Sequence, residues 1–355
     1  MDQFLYSIPV LGVIFELFGY LIAVLPVSAP IILRAATPIG FGALCGVMCE
    51  RSGVVNIGIE GTMLVAAFSG WVIGIAALGI MGPMPAGPLG ITPPLVIALV
   101  GAVLFAVLTA LIHAWLSISL RVDQIISGTI INIAAFGITG FLNNVIAAAS
   151  PTSAGQFAKI TPPRELVELP LVGWLVSTLF NQGPLTMSLI VITVFLQIVL
   201  FRSRWGLRTR AVGEHPKAAE TVGIDVIRLR YRNVLLGGAL AGLGGAFLSL
   251  ELSNSFQAQG TAGRGFIALA AVIVGRWTPI GALGATLLFS VFLSLGQTIT
   301  FVPPGGDLGD IVKAVPVQTF SALPYIVTII VLAGFVGRST PPAADGQPYE
   351  RETAH

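Results

Sequence analysis

The chain has 355 residues; 55% are hydrophobic and 42 more are glycine, so about two thirds is apolar, against roughly half in soluble domains. Charged residues make up only 10%, and the formal net charge is +2. These figures exclude a soluble globular domain, a disordered chain and a nucleic-acid binder. The apolar segments are long and nearly continuous, unlike the roughly ten-residue alternating strands of a membrane barrel. The expectation is an all-α polytopic membrane protein.

In chain order the apolar runs fall at about 5–33, 38–49, 57–80, 95–119, 125–149, 184–201, 233–251, 265–275, 280–301 and 317–337. That makes about ten transmembrane helices. A full crossing takes roughly 20 residues, and the second and eighth runs are each about a dozen. Those two are expected as half-helices or re-entrant segments, so eight full spans with two broken ones fits equally well. The first run is not expected to be a secretory leader, because Asp2 precedes it, no basic region does, and Glu16 interrupts it. The Pro- and Gly-rich connections 82–94, 150–183 and 303–307 are too small for a folded domain. The polar tail after Arg338 is expected to be disordered.

Charge is concentrated. Eight of the eighteen basic residues (Arg202, Arg204, Arg208, Arg210, Lys217, Arg228, Arg230 and Arg232) lie in 202–232 with three acids, Glu214, Glu220 and Asp225. A basic segment between apolar spans belongs on the cytoplasmic side. Counting ten spans outward from it puts both termini in the cytoplasm, with Arg51, Arg121, Arg276, Arg338 and Arg351 inside and Arg34, Lys159, Arg164, Arg264 and Lys313 outside. Thirteen basic residues inside against five outside supports that orientation.

Within the basic loop, Pro216 suits a first helical turn and Gly223 the position past a helix end, leaving a two-turn helix between them. Asp225 can cap a following helix. Such a rigid, charged surface helix is either a docking point for a partner protein or a solvated loop on anionic lipid. Lys159, Lys217 and Lys313 are the only lysines and none follows glycine, so the phosphate loop of an ATPase is missing. Cys45 and Cys49 share a helical face without His or acidic neighbours there; buried packing is expected, not a metal site.

The stretches ERSGVVNIGIEGTMLVAAF (50–68), RVDQIISGTIIN (121–132), FRSRWGLRTRAVGEHPKAAETVGI (201–224), GGALAGLGGAFLSL (237–250) and GFIALAAVIVGRWTPIGALGA (265–285) resemble the inner-membrane permeases of bacterial ABC importers. Within these they are similar to the nucleoside and simple-sugar branch, related to branched-chain amino acid and ribose permeases. The resemblance covers about 37–338. It implies a type II importer fold with ten helices per chain and a permease domain at 37–338, preceded by an N-terminal span at 1–36 and followed by a cytoplasmic tail at 339–355. It also implies a cytoplasmic ABC ATPase that holds ATP and Mg, a second permease chain (same or unlike), an extracellular substrate-binding lipoprotein, and a place in the bacterial inner membrane. By that resemblance Gly213, Glu214, Pro216, Ala218, Ala219 and Gly223 form the coupling helix and its flanks, docking on the ATPase within loop 202–232. No residue performs bond chemistry, and no cofactor or metal is expected in this chain.

Polar side chains in hydrocarbon are costly and usually face the bundle interior or a watery cavity. Thr129, Asn132, Phe136, Thr139 and Asn143 form one helical stripe in the fifth span; Thr286, Ser290, Ser294 and Gln297 form another in the ninth. Asn132, Phe136, Asn143, Ser294 and Gln297 are candidates for a substrate path; the other reading is hydrogen bonding that holds the bundle together. Glu50, Arg51, Asn56 and Glu60 are expected as a structural or gating network near the cytoplasmic end, and His113 as a hydrogen-bonded structural residue. Gly238, Ala241, Gly242 and Gly245 allow close helix contact, including with a second permease chain. Amides and hydroxyls in the interior suit a neutral solute: a nucleoside, with a simple sugar or branched-chain amino acid as alternatives. An ATP-independent secondary carrier is the rival of another class; its embedded relay would have only Glu60 and His113 to use.

Overall fold

The computed structural model describes residues 9–350 apart from 86, 88–89, 150–154, 170–172, 331–332 and 334–338. All regular structure in the described residues is helical. In order the helices are α1 (Pro9–Glu50), α2 (Ile59–Met81), α3 (Pro93–Ala114), α4 (Gln124–Ala149), α5 (Arg164–Val167), α6 (Gly173–Phe180) and α7 (Pro184–Arg202). They continue with α8 (Arg204–Glu214), α9 (Pro216–Thr221), α10 (Val226–Ala246), α11 (Arg264–Val274), α12 (Pro279–Phe301), α13 (Gly306–Ala314) and α14 (Val317–Ile330). Among the described residues seven helices (α1, α2, α3, α4, α7, α10 and α12) are long and apolar enough to cross a membrane. This is a multi-pass membrane protein.

The first two apolar runs, expected as separate spans, form the single helix α1. Pro26, Pro30 and Pro38 lie inside it, where each removes a backbone hydrogen bond. Side chains also bond this stretch of backbone: the Thr37 hydroxyl donates to Leu33 O (2.9 Å) and the Gln182 amide to Pro30 O (3.3 Å). Arg34, expected in an exterior loop, sits mid-helix and donates to Gln182 Oε1 (3.2 Å). One continuous helix puts Pro9 and Glu50 at opposite ends, which removes the hairpin on which a cytoplasmic N-terminus was inferred. Tyr20 and Glu16 mark its far end: Tyr20 donates to Val302 O (2.7 Å) and Glu16 accepts from Leu308 N (2.9 Å).

The core is built where α10 packs on α1, α2 and α3, with α11 and α12 laid along α1. Phe41, Leu44, Met48, Ile59, Met63 and Leu64 are fully buried there. The small residues of α10 make this approach possible. Gly238 and Gly242 face Ala110 and Ala106 of α3, and Gly245 lies against the carbonyl of Met63 on α2. Those glycines are therefore occupied by the chain's own helices.

α10 runs away from the basic loop and ends in a wider π-type turn, Phe247–Leu252. The chain then returns as an irregular segment to α11, which has 11 residues and rises about 16 Å, half of a hydrocarbon core of roughly 30 Å. The eighth apolar run is thus a half-length helix, as its shortness implies.

The tail does not follow the expectation of disorder. Residues 339–350 lie against the basic loop, with Ala344 and Tyr349 buried. Backbone groups are what a polar sequence of this kind offers, and they are used: Ala344 N donates to Gly213 O (2.9 Å) and the Arg230 guanidinium donates to Gln347 O (2.9 Å).

Candidate functional site

The 203–225 segment, expected to dock on an ATPase, is assembled from local capping. Ser203 caps α8 by accepting from Gly206 N (3.0 Å), Pro216 opens α9, and Asp225 caps α10 by accepting from Arg228 N (2.9 Å). Gly223 has φ +82°, the left-handed conformation that ends a short helix at little cost. The two-turn helix expected between Pro216 and Gly223 is present. α8 was not anticipated, although Ser203 ahead of RWGLRTRAVGE is a capping signal. Ala218, Gly223 and the 74%-exposed Val222 project outward from this segment, whereas Gly213 and Ala219 are buried beneath it.

Arg51 joins this segment to the membrane helices. Its guanidinium lies 4.0 Å from Glu214 and 5.8 Å from the centre of the Phe201 ring, which Arg210 also covers at 4.9 Å. It also donates to Trp277 O (2.7 Å) and Arg276 O (3.2 Å). Arg276 and Trp277 both have φ +53°, a strained turn for residues with a Cβ. The strain is held by Arg51 and by the Trp277 indole donating to Glu50.

At the other end of α11, the buried Glu60 carboxylate accepts from Gly263 N (2.8 Å) and Gly265 N (2.6 Å). A carboxylate there satisfies free N–H groups and opposes the positive end of the helix dipole. Glu50 and Arg51 therefore grip one end of the half-helix and Glu60 the other. Asn56 stands apart from this pair of clamps, its amide 3.8 Å from the Sγ atoms of Cys45 and Cys49. Both cysteines are buried.

Above α11 lies a cavity of about 330 Å³, within the size range of small-molecule sites. Its wall includes Ser249 from the π-type turn, Phe256, Gln257, Gln259 and Thr261 from the irregular segment, and Arg264. Non-helical backbone at this depth is tolerated where it lines a watery space. The span count reads SNSFQAQGTAGR as an exterior connection holding Arg264; in the structure Phe256 and Thr261 of this segment are buried beside α11 and most of its residues line the cavity. The usable signal was its position: a polar run joining a full span to a half-length one.

The expected path residues fall elsewhere. Asn132 is buried and fully used, accepting from Gly61 N (2.7 Å) and donating to Ile57 O (3.0 Å), so that it pins α4 to the start of α2. Phe136 and Asn143 are half-buried on α4. The Ser294 hydroxyl donates to Val291 O (3.0 Å). Gln297 lines a separate cavity of about 400 Å³ with Arg264 and Tyr325. Among the described residues α4 packs mainly on α2 and α3, whereas α12 packs mainly on α1, α11 and α14, so the two polar stripes sit on different neighbours. His113 has both ring nitrogens engaged, with Val55 O and Ser127 Oγ each at 3.0 Å. A carbonyl only accepts, so Nε2 carries the proton.

The tail covers the same end of the bundle as the 203–225 segment. Glu214 accepts from Ala343 N (3.1 Å), the Tyr349 hydroxyl donates to Glu220, and Arg121 pairs with Glu350 at 2.6 Å. Ser339 donates to Ile273 O on α11 (3.0 Å). Burial pushes the Asp345 carboxyl up to about 7, against the lowering pull of the Gly346 N–H and of Arg230.

A bundle of spanning helices, a broken helix over a polar cavity and a charged segment clamped to that helix define a solute-conducting membrane subunit. Residues 29–332 match the family described as the permease component of the branched-chain amino acid transport system, and the chain belongs to it. It is 39% identical to the nucleoside ABC transporter permease protein NupC of Lactococcus lactis over 88% of this chain and 93% of that protein. It is 38% identical to the guanosine ABC transporter permease protein NupQ of Bacillus subtilis over 93% of this chain and 98% of that one. A putative glucose ABC transporter permease, TsgC13 of Haloferax volcanii, is 34% identical over 90% and 96%. The chain is a permease subunit of an ABC transporter and is not itself an enzyme; ATP hydrolysis belongs to a separate subunit.

Proposed function

We propose that this chain is a permease subunit of an ATP-driven nucleoside importer in the bacterial cytoplasmic membrane. It would act beside a second permease chain, with an extracellular binding lipoprotein delivering solute and a cytoplasmic ATPase, holding ATP and Mg, docking on Gly213, Glu214, Pro216, Ala218, Ala219 and Gly223. The nucleoside assignment is supported by the relatives named for nucleoside and guanosine transport. A type II arrangement with ten helices per chain and a cytoplasmic C-terminal tail is in keeping with that reading.

One observation carries the mechanism: Arg51 binds Glu214 of the coupling segment and the strained Arg276–Trp277 turn below the cavity. Displacement of the coupling segment by the ATPase would thus be passed through Arg51 to α11 and the cavity wall. A sugar is the second reading, favoured by the glucose-permease relative. Reconstitution with the cognate ATPase and binding protein tests both. Labelled nucleosides should accumulate and glucose should not, and Glu214→Lys should abolish accumulation while ATP hydrolysis continues. Undiminished uptake with an ATPase lacking its catalytic glutamate would sink the ATP-driven reading.

A further inference from the structure

The cavity above α11 carries hydrogen-bonding groups that the protein itself leaves free. Ser249 and Thr261 are fully buried, and neither hydroxyl has a hydrogen-bond partner. Buried polar groups are normally satisfied, and each exception asks for a reason. Gln257 and Gln259 line the same cavity and are exposed, so their amides are open to bonding. Phe256 forms an apolar wall; its ring is fixed by Phe68 (5.1 Å, edge-on) and Trp71 (6.2 Å, stacked). The backbone around these groups is strained: Asn254, Gln259 and Ala262 have φ of 56°, 61° and 46°. Such strain persists where surrounding structure holds it and is concentrated at ligand sites. Among the described residues the one full charge in the wall, Arg264, has its guanidinium turned onto Gly260 O (2.9 Å) and Thr261 O (3.3 Å).

We propose that this cavity holds the solute within the membrane, the Gln257 and Gln259 amides reading the base of a nucleoside and Phe256 flanking it. An amide offers a donor and an acceptor side by side, the pattern that matches the adjacent donor and acceptor on a nucleobase edge. The hydroxyls of Ser249 and Thr261 complete their hydrogen bonds on the same solute when the wall opens. This inference rests on the nucleoside reading above.

The test uses the full importer in proteoliposomes. Gln257→Leu and Gln259→Leu should each raise the KM for nucleoside uptake, by roughly five- to a hundredfold for a lost two-point contact. Ala258→Cys, at the exposed cavity wall, should react with a water-soluble thiol reagent, and added guanosine should protect it; the parent chain, whose two cysteines are buried, is the blank. Nucleoside uptake that persists with no protection at Ala258→Cys, or with KM unchanged in both leucine variants, overturns the site. Protection by glucose and not by nucleosides, with glucose the transported solute, instead overturns the nucleoside reading.

Discussion

Replacing Glu60 with Gln removes a charge and keeps the shape. Glu60 is 1% exposed and holds two N–H donors, Gly263 and Gly265, at the start of α11. A glutamine oxygen can accept one of these; its NH2 group then faces the other donor and leaves a buried N–H unpaired. That costs about 1–3 kcal/mol. Loss of the carboxylate from the positive helix end adds roughly 0.3–1 kcal/mol, and up to about 2 in a buried setting. The sum, about 1.3–5 kcal/mol, should raise local opening at this end of α11 by about tenfold to several thousandfold. Amide hydrogen exchange in lipid nanodiscs reads it directly: residues 263–267 of Glu60→Gln should exchange faster by that factor. The turn at Arg276 and Trp277, held by Arg51 and Glu50, should be unchanged. Exchange at 263–267 within twofold of wild type would refute the clamp.

Gly245→Ala should overpack the α2–α10 contact, because the new methyl meets the Met63 carbonyl; a loss of about 1–3 kcal/mol is expected as a lowered Tm. Arg51→Lys keeps the charge but cannot span two carbonyls and Glu214 at once, so coupled uptake should fall at least about tenfold for a loss of roughly 1.5–3 kcal/mol of bonding; uptake equal to wild type would count against the relay. Asp345 has its carboxyl raised to about 7 in the docked tail, from an ordinary value near 4. The docked state therefore binds the proton more tightly, and docking weakens as pH rises from about 4 through 7. Intrinsic-rate-corrected exchange of 343–349 should be faster at pH 8 than at pH 5.5, and Asp345→Asn should abolish the difference. Equal protection at both pH values in wild type would contradict this.

Much of the bundle was legible from apolar run length: α2, α3, α4, α7 and α12 lie within about five residues of their runs, and α10 starts seven residues ahead of its own, since in hydrocarbon a long apolar stretch has little choice but a helix. Pro216 and Gly223 located α9, because proline and glycine act locally. What failed was non-local. Pro38 reads as a break, yet α1 runs on through it, packed along α10, α11 and α12, which are far away in sequence. The 253–264 segment reads as exterior because its polarity signals water, and water in a cavity gives the same signal. Asn132 reads as path-lining from its helical stripe, and the sequence does not report that its amide meets Gly61 at the start of α2 and Ile57 just before it. The tail reads as disordered because it has few apolar residues; it is held by backbone hydrogen bonds, which composition does not report.

α1 reaches from the Arg51 junction past Tyr20, where it is tied to Val302. The 30 residues from Tyr20 to Glu50 span about 45 Å at 1.5 Å each, so a rotation of about 5° about the Glu50 end swings the Tyr20 end by about 4 Å. α1 is thus a long arm pivoted at its Glu50 end, beside the 203–225 segment. A displacement too small to break any contact at Glu50 is delivered, magnified, to the opposite face of the membrane, and Pro26 and Pro30 mark where the arm can flex.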